Sequence, residues 1–193
     1  EHDIVDLIFY SILSLYTVAI LFIIINWLID TRNHPIYSET MFYQVSLPKL
    51  LALSILTFNI YLVYWFYRNW LHVKSVDKSS IMPIARGLFN IFWYYPFYNR
   101  LVEDSLQRYQ ANKVLIKPFA ILLASSYFVV NILAETDYLG LQSIILIPIL
   151  LIPLANYINH IDTNDRAAYT YNSRWLFRHT LLALFVLPVI LLA

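Results

Sequence analysis

The sequence predicts an all-α, polytopic integral membrane protein with about five transmembrane helices and one cytoplasmic interfacial or re-entrant helix. The first observation is composition: 60% of the 193 residues are hydrophobic and only 13% are charged, whereas soluble domains contain roughly 25% charged residues. The second is that the apolar residues form five uncharged or nearly uncharged runs, each close to the ~20 residues that a helix needs to cross a bilayer. The third is an uneven distribution of Lys and Arg between the connecting segments.

The first run is the longest and lies between Asp6 and Asp30. Its residues 7–29 would extend roughly 35 Å as a helix, more than the ~30 Å of bilayer hydrocarbon. No Lys or Arg precedes the run and no small-residue cleavage site follows it, which argues against a signal peptide. We therefore divide the chain into residues 1–40, a first transmembrane helix with an outer loop, and residues 41–193, a four-helix membrane domain.

The next two runs each predict one spanning helix. Residues 50–67 follow Pro48 and Lys49 and end in four consecutive aromatic residues, which is typical of a membrane interface. Residues 118–134 begin with Pro118, which the first turn of a helix accepts because its missing N–H has no intrahelical partner there.

The last two runs complete the five predicted spans. Residues 138–159 contain Pro148 and Pro153. Each proline removes a backbone hydrogen bond, so this span is predicted to bend. Residues 175–193 carry Arg178 and His179 in their first turn, where polar side chains can reach the lipid headgroups.

A further aromatic segment, residues 84–99, is too short to cross. Arg86 and Arg100 leave only residues 87–99 uncharged between them. Arginines at both ends and dense aromatic rings predict a helix in the plane of the membrane interface, or a re-entrant hairpin broken at Pro96. We favour the interfacial helix.

The cationic residues predict the orientation. Eight of the 13 Lys and Arg lie in residues 68–117 and three more in residues 166–178, so that only Arg32 and Lys49 remain. With five spans, the first eleven of these residues lie on one side of the membrane, and Arg32 and Lys49 lie on the other. Because cytoplasmic loops are enriched in Lys and Arg, the N-terminus is predicted in the cytoplasm and the C-terminus outside.

Composition also excludes several classes of function. A net charge of +1 argues against a nucleic-acid partner. The absence of Cys excludes disulfides, thiolate metal sites and a cysteine nucleophile. The only two glycines, Gly87 and Gly140, are too far apart for a phosphate-binding loop. The polar residues 159–165 are interpreted as a solvated loop. We predict no cofactor, no metal site and no catalytic residue.

The predicted spans contain neutral polar residues but no ionisable residue near a centre, where an ion-coupled transporter usually has one. Asn59 lies in the second span and Asn131 in the third. We interpret both first as hydrogen-bonding groups between helices. The alternative is a polar permeation path lined by these two residues and the bent fourth span.

The long basic and aromatic connector is the best candidate for a binding surface. Cationic side chains near anionic headgroups can contribute about 1 kcal/mol each, and Trp residues anchor at the same level. An alternative interpretation is that the connector is basic only because it is cytoplasmic. The residues predicted to contact lipid headgroups or a partner protein are Arg68, Lys74, Arg86, Trp93 and Arg100.

Residues 57–70 read Thr-Phe-Asn-Ile-Tyr-Leu-Val-Tyr-Trp-Phe-Tyr-Arg-Asn-Trp. They resemble the signature of a group of uncharacterised bacterial inner-membrane proteins, in which Gly stands at the position of Asn59 and Lys at that of Arg68. The resemblance covers roughly residues 41–193, and it implies a bacterial cytoplasmic membrane and a multi-helix domain without implying an activity. Further matching positions are Val45, Ser46, Pro83, Arg86, Phe89, Asn156, Ile158, Asn159, Asn172, Ser173 and Trp175.

His72 and Asp77 have the H-x-x-x-x-D spacing, which resembles the motif of membrane-associated glycerolipid acyltransferases. In those enzymes the His acts as a base on the acceptor hydroxyl and the Asp orients it. The chain has no room for their soluble α/β domain, so acyl transfer is disfavoured. The alternative interpretation is two polar residues leaving a helix.

Three functions remain after these exclusions. The leading hypothesis is a non-enzymatic membrane subunit that packs against, stabilises or anchors partner membrane proteins, in contact with membrane lipids. The alternative is a small-molecule or lipid transporter or channel. The third is a membrane-embedded enzyme acting on lipid, with His72, His160 and Asp162 as its only plausible acid–base groups.

Overall fold

The chain is helical, as its composition predicts, and the residues that the structure describes contain no strand. The structure is a computed structural model. Side chains are described in residues 42–104, 121–133, 142–160 and 172–184 and at the described positions up to residue 29. The backbone is described in residues 10, 13–15, 17, 18, 20–22, 24, 25, 28, 29, 42–109, 113–133, 142–161, 170 and 172–192.

From residue 42 onward, the described ranges form eight helices. They are α1 (Leu47–Leu56), α2 (Ile60–Asp77), α3 (Pro83–Leu88), α4 (Asn90–Tyr109), α5 (Lys113–Leu133), α6 (Gln142–Leu150), α7 (Ile152–Ile161) and α8 (Phe177–Leu192). The described positions of the first predicted span are also helical. The rest of that span and the polar residues 162–165 lie outside the described residues.

The second predicted span is divided by a turn. α1 ends at Leu56 and α2 begins at Ile60, while Phe58 and Asn59 have left-handed φ angles of 50° and 67°. Asn enters this conformation more readily than most other non-glycine residues. Asn59 therefore allows the chain to turn between α1 and α2, although the sequence has no Gly or Pro there to indicate a turn. α2 continues to Asp77, well beyond the predicted end of the span. A single helix over residues 50–67 is therefore a wrong prediction.

Backbone donors in this turn are all used locally, so the turn is compatible with an apolar environment. Ser54 and Thr57 donate their hydroxyls to the carbonyls of Leu50 and Leu53 in their own segment, at 2.6 and 2.7 Å. The N–H bonds are Thr57 to Leu53 O (3.0 Å), Phe58 to Ile55 O (3.2 Å), Asn59 to Ser54 O (2.7 Å), Ile60 to Thr57 O (3.0 Å) and Tyr61 to Thr57 Oγ1 (2.9 Å).

The aromatic segment 84–99 forms α3 and the first half of α4. The break lies at Phe89, and α4 continues through Pro96, so the re-entrant hairpin broken at Pro96 is wrong. α3 packs closely on α2 because Gly87 has no side chain: a Cβ there would lie 2.9 Å from the carbonyl oxygen of Val63. The position of this segment relative to a membrane stays a prediction.

The fourth predicted span is interrupted at Leu151, between Pro148 and Pro153, and the predicted bend there stays a prediction. The backbone remains bonded on both sides, since Leu151 N donates to Pro148 O at 3.1 Å and Ala155 N donates to Leu151 O at 2.9 Å. α6 and α7 are therefore consecutive helices joined by backbone hydrogen bonds across Leu151.

The core is centred on the fully buried ring of Phe97 in α4. Four rings surround it, with edge-on centroid distances of 5.4 Å to Trp70, 5.7 Å to Phe66, 5.8 Å to Phe42 and 6.3 Å to Trp65. Such edge-to-face pairs are favourable beyond the area that they bury. The centre of the aromatic core therefore lies between α2 and α4.

The outer surface carries many exposed apolar side chains, at the described positions of the first predicted span and on α5 and α6 among others. In the described residues, one helix is long and apolar enough to cross a membrane, Gln142–His160 counted across the interruption. Leu47–Leu56 and Ile121–Leu133 are apolar but shorter. Five membrane spans therefore stay a prediction. The exposed residues of these two helices are Ile121, Leu122, Phe128, Val129, Ile132, Ile145, Leu146 and Ile149.

Candidate functional site

The segment before α1 is held by polar groups from distant parts of the chain. We call this region the polar junction. Its hydrogen bonds join residues up to 127 positions apart. It comprises Tyr43, Gln44, Val45, Ser46, Lys49, Asn69, Ile158, Asn159, Asn172, Ser173 and Arg174.

Two asparagines clamp backbone groups in the polar junction. The Asn159 side chain accepts from Val45 N at 3.2 Å and donates to Val45 O at 2.8 Å. Asn69 accepts from Tyr43 N at 2.9 Å and donates to Trp65 O at 2.9 Å. A side-chain amide supplies both a donor and an acceptor. Each asparagine side chain therefore supplies the hydrogen-bond partners that a neighbouring backbone segment would otherwise supply.

Lys49 is a buried cation in the same region, 7% exposed. Its ammonium donates to the carbonyls of Asn172 at 2.7 Å and Arg174 at 3.1 Å. Ser46 N donates to Ser173 Oγ at 2.9 Å. These bonds tie the start of α1 to the segment before α8.

Several positions that carry the sequence resemblance meet in the polar junction. Val45, Ser46, Asn159, Asn172 and Ser173 are widely separated in the sequence, yet they form hydrogen bonds to one another or to the same segment. These residues come from three separate segments of the sequence, so no local pattern brings them together.

The predicted headgroup contacts occupy different environments. Arg68 is only 3% exposed, with its guanidinium carbon 4.9 Å from the Tyr43 ring centroid. It thus lies inside the protein, near the same Tyr43 ring that the buried His72 approaches. Lys74 is exposed on α2.

Arg86 lies between two indole rings, 4.2 Å from the Trp70 centroid and 4.3 Å from that of Trp93. Partial burial lowers the pKa of its guanidinium, which nevertheless stays charged because Arg titrates far above neutral pH. Cation–π contacts of this kind contribute about 0.5–2 kcal/mol each. Two of the predicted contact residues, Arg86 and Trp93, therefore bind each other and join α3 to α2 and α4.

Arg100 donates two hydrogen bonds to the carboxylate of Asp77, at 2.7 and 3.1 Å. This pairing raises the pKa of Arg100. The two residues of the H-x-x-x-x-D spacing lie in different surroundings. His72 is buried against the Tyr43 ring at a centroid distance of 6.3 Å. Asp77 serves as the partner of Arg100 at the end of α2.

Asn59 and Asn131, from the second and third predicted spans, line one cavity, which we call the asparagine pocket. Its volume is about 210 Å³. It joins the turn between α1 and α2 to the start of α4, the C-terminal part of α5 and α6, so Asn59, Asn131 and the fourth predicted span lie together as the permeation hypothesis requires. It is lined by Phe58, Asn59, Ile60, Leu62, Val63, Asn90, Tyr127, Asn131 and Ile147.

Most polar groups of the asparagine pocket are already bonded to protein. The Tyr127 hydroxyl donates to Asn90 Oδ1, and Asn90 Nδ2 donates to Gly87 O at 2.9 Å. Asn131 Nδ2 donates to Tyr127 O at 2.8 Å within its own helix, not across helices as expected. Asn59 Oδ1 differs: it is buried and, in the described part of the chain, receives no hydrogen bond.

Titratable groups do not gather into a metal site within the described ranges, where no group of three His, Asp or Glu side chains occurs. His160 is exposed and its Nδ1 lies 2.7 Å from Asn156 O. Asp162, its proposed acid–base companion, lies outside the described residues. Asn90 and Tyr127 are the pocket residues that sequence analysis missed, since an Asn near a helix start and a Tyr in an apolar run are common in cores.

Comparison of the chain with models of protein families, with curated proteins and with solved structures finds no match. The site is therefore interpreted from its own chemistry.

Proposed function

We propose that the chain is a non-enzymatic membrane subunit whose apolar outer face packs against partner membrane proteins. The observation that carries the proposal is the distribution of side chains: exposed apolar residues lie along α6 and the described part of α5, while buried polar groups of the polar junction bond to backbone inside the fold. Monomeric soluble proteins rarely expose large contiguous apolar patches. A partner or lipid covering this face would remove it from water.

The internal arrangement supports a structural role. Arg86, Arg100 and Asp77, which have the charge needed for chemistry, are engaged in ring stacking or ion pairing. Asn69 and Asn159 hold backbone groups. The charged and polar side chains thus hold the helices together, as expected of a protein that positions other proteins.

Site-specific photo-crosslinking tests the proposal in native membranes. A photoreactive amino acid replaces Leu122 on α5 or Ile145 on α6, which are 62% and 51% exposed. The matched control is the same residue at Ser80, an exposed polar position between α2 and α3. We expect discrete protein adducts of constant mass from Leu122 or Ile145 and none from Ser80.

Adducts to lipid alone at both apolar positions, together with a monomer after gentle solubilisation, would contradict the subunit proposal. They would leave membrane embedding in place. Recovery of the chain in the soluble fraction would contradict both.

A transporter or channel is the second candidate, because Asn59, Asn131 and Ile147 line the same pocket. The test is glycerol uptake into proteoliposomes. A carrier of small neutral solutes is expected to exceed protein-free liposomes and to lose this excess in Asn131→Leu, while Asn156→Leu, an exposed asparagine on α7, retains it. Uptake equal to that of protein-free liposomes would contradict this second candidate.

A further inference from the structure

We propose that Arg86, held in the corner between the Trp70 and Trp93 rings, binds the phosphate of an anionic membrane phospholipid. The proposal goes beyond the partner-subunit function. It shares with that function the location in a membrane, but it requires no partner protein. It rests on a cation that the fold holds in place and whose donors stay accessible.

The two indole rings fix the guanidinium and leave part of it open. Its central carbon lies 4.2 Å from the Trp70 centroid and 4.3 Å from the Trp93 centroid. The ring planes stand at 82° to each other, with a centroid distance of 6.3 Å. Nearly perpendicular rings cover two adjacent sides of the guanidinium, so Arg86 is partly buried whereas Trp70 is buried.

The hydrogen-bond donors of Arg86 are not used inside the described part of the chain, where no acceptor bonds to them and no carboxylate pairs with them. The other two arginines of residues 42–104 differ. Arg68 is buried in the core, and Arg100 donates two bonds to Asp77. Within residues 42–104, Arg86 is therefore the arginine that combines a fixed position with accessible donors.

A fixed, planar guanidinium is suited to phosphate. Its N–H groups form a fork that matches two phosphate oxygens, and the resulting hydrogen bonds are charge-assisted. Because the two rings already restrict the side chain, less conformational freedom is lost when the phosphate binds. An uncharged ligand would not gain the charge interaction.

Lys74 adds a second positive charge. It lies four residues after Trp70 in α2, about one helical turn further on the same face, and it is exposed. Asp77, the nearest carboxylate in the sequence, is bonded to Arg100 and forms no ion pair with Lys74. Two cations without a bonded carboxylate favour a phosphate whose headgroup carries no compensating positive charge.

Exposed apolar side chains within residues 84–92 indicate that the phosphate belongs to a lipid. Ile84, Leu88, Phe89 and Phe92 are 62, 60, 58 and 64% exposed. Acyl chains can cover such side chains, whereas a water-soluble phosphate would leave them in water. Indole rings also prefer the level of the lipid headgroups. This segment thus offers a cation and indoles to the headgroup and apolar side chains to the acyl chains.

The test measures binding to the purified full chain in a neutral detergent by native mass spectrometry, which resolves each bound molecule by its mass. Dioctanoylphosphatidylglycerol is anionic, and dioctanoylphosphatidylcholine has a phosphate with a compensating cation. Dioctanoylglycerol has no phosphate, and glycerol 3-phosphate has no acyl chains. The dissociation constants of the first bound molecule are compared.

We expect the wild type to bind dioctanoylphosphatidylglycerol about tenfold more tightly than dioctanoylglycerol, the scale of charge-assisted hydrogen bonds at a partly exposed site. Dioctanoylphosphatidylcholine should bind with intermediate affinity and glycerol 3-phosphate more weakly than either phospholipid. In Arg86→Met, which keeps an unbranched side chain against both rings, the preference for dioctanoylphosphatidylglycerol should disappear.

Further variants separate charge from geometry. Arg86→Lys keeps the charge but loses the fork, so it should weaken binding of dioctanoylphosphatidylglycerol about threefold. Lys74→Met should weaken it about two- to threefold, as expected of one exposed cation near the headgroup. Arg174→Met, at an exposed position before α8, is the matched control and should change it by less than about twofold.

Equal binding of the three dioctanoyl lipids to the wild type would overturn the proposal. So would equal binding of dioctanoylphosphatidylglycerol to the wild type and Arg86→Met. Glycerol 3-phosphate binding as tightly as the anionic lipid would overturn the lipid assignment. The wild-type series and Lys74→Met keep the proposal falsifiable if Arg86→Met fails to fold, and none of these results bears on the crosslinking test of the partner surface.

Discussion

The polar junction and the asparagine pocket use the same side chain in opposite ways. In the junction, both functional groups of Asn69 and Asn159 are bonded to backbone. In the pocket, Asn59 uses its backbone to make a turn and leaves its side-chain oxygen buried and unbonded to any described protein group. Asparagines with both groups bonded hold the fold together through their side chains, whereas Asn59 acts through its backbone conformation.

This difference leads to a rule that can be tested by substitution. Removing a junction asparagine leaves buried backbone groups without partners, so it should cost stability. Removing the Asn59 side chain leaves nothing unpaired, so it should cost almost none. Free energies of unfolding in the predictions below refer to the chain in the same detergent.

Asn159→Leu is expected to give the largest loss, about 2–4 kcal/mol in the free energy of unfolding. The reason is that Val45, 1% exposed, loses the partners of both its N–H and its C=O, at about 1–3 kcal/mol for each buried group. Asn156→Leu is the control, since Asn156 is exposed on the same helix. Equal losses in the two variants would contradict the clamp.

Gly87→Ala is expected to destabilise the protein by about 1–3 kcal/mol, because the added methyl meets backbone that cannot move aside freely. The Cβ would lie 2.9 Å from Val63 O and 3.1 Å from Tyr67 N. Asn90 bonds to Gly87 O, so this change also disturbs the asparagine pocket. Leu88→Ala, at a position 60% exposed, should stay within about 0.5 kcal/mol. A neutral Gly87→Ala would show that α3 and α2 are not in close contact.

Lys49→Met should cost about 1–2 kcal/mol, measured by chemical unfolding. Methionine is an unbranched side chain one atom shorter than lysine and cannot donate to the carbonyls of Asn172 and Arg174, which lose a charge-assisted bond each. Lys74→Met, on an exposed position of α2, is the matched control with an expected change below about 0.5 kcal/mol. If the two lysines behave alike, Lys49 does not hold the start of α8.

Asn59→Gly should have the smallest effect on stability, within about 0.5 kcal/mol, because Gly accepts the left-handed φ of 67° without strain. Asn59→Val at the same position should cost about 1–2 kcal/mol, since a β-branched side chain is strained there. A large loss in Asn59→Gly would place Asn59 with the structural asparagines and remove the contrast between the two regions.

Much of the helical framework could be predicted from composition and from proline positions. The interruption at Leu151 follows from Pro148 and Pro153, whose missing N–H groups weaken the helix locally. The turn at residues 57–59 lacks Gly and Pro, and only the φ angles reveal it. Pro96 misled the prediction because a helix can continue through one proline when packing of Tyr94 and Phe97 holds it.

The candidate sites were predicted less completely. Asn59 and Asn131 were found because polar residues in apolar runs stand out, but their meeting with Asn90 and Tyr127 depends on how four helices pack. The polar junction depends on hydrogen bonds between residues 114 positions apart, a separation over which local patterns carry no information. Arg86 and Arg100 were identified as cations, and their partners Trp70 and Asp77 became evident only in the fold.

Cysteine accessibility tests most directly the claim that the apolar faces of this protein lie in a membrane. The chain has no Cys, so Lys78→Cys, at the exposed end of α2, and Leu122→Cys, on the outer face of α5, each report one position. With a membrane-impermeant maleimide, we expect Lys78→Cys to label only after the cells are opened and Leu122→Cys only after detergent denaturation. Labelling of Leu122→Cys in native membranes as fast as Lys78→Cys, or of Lys78→Cys in intact cells, would contradict this account.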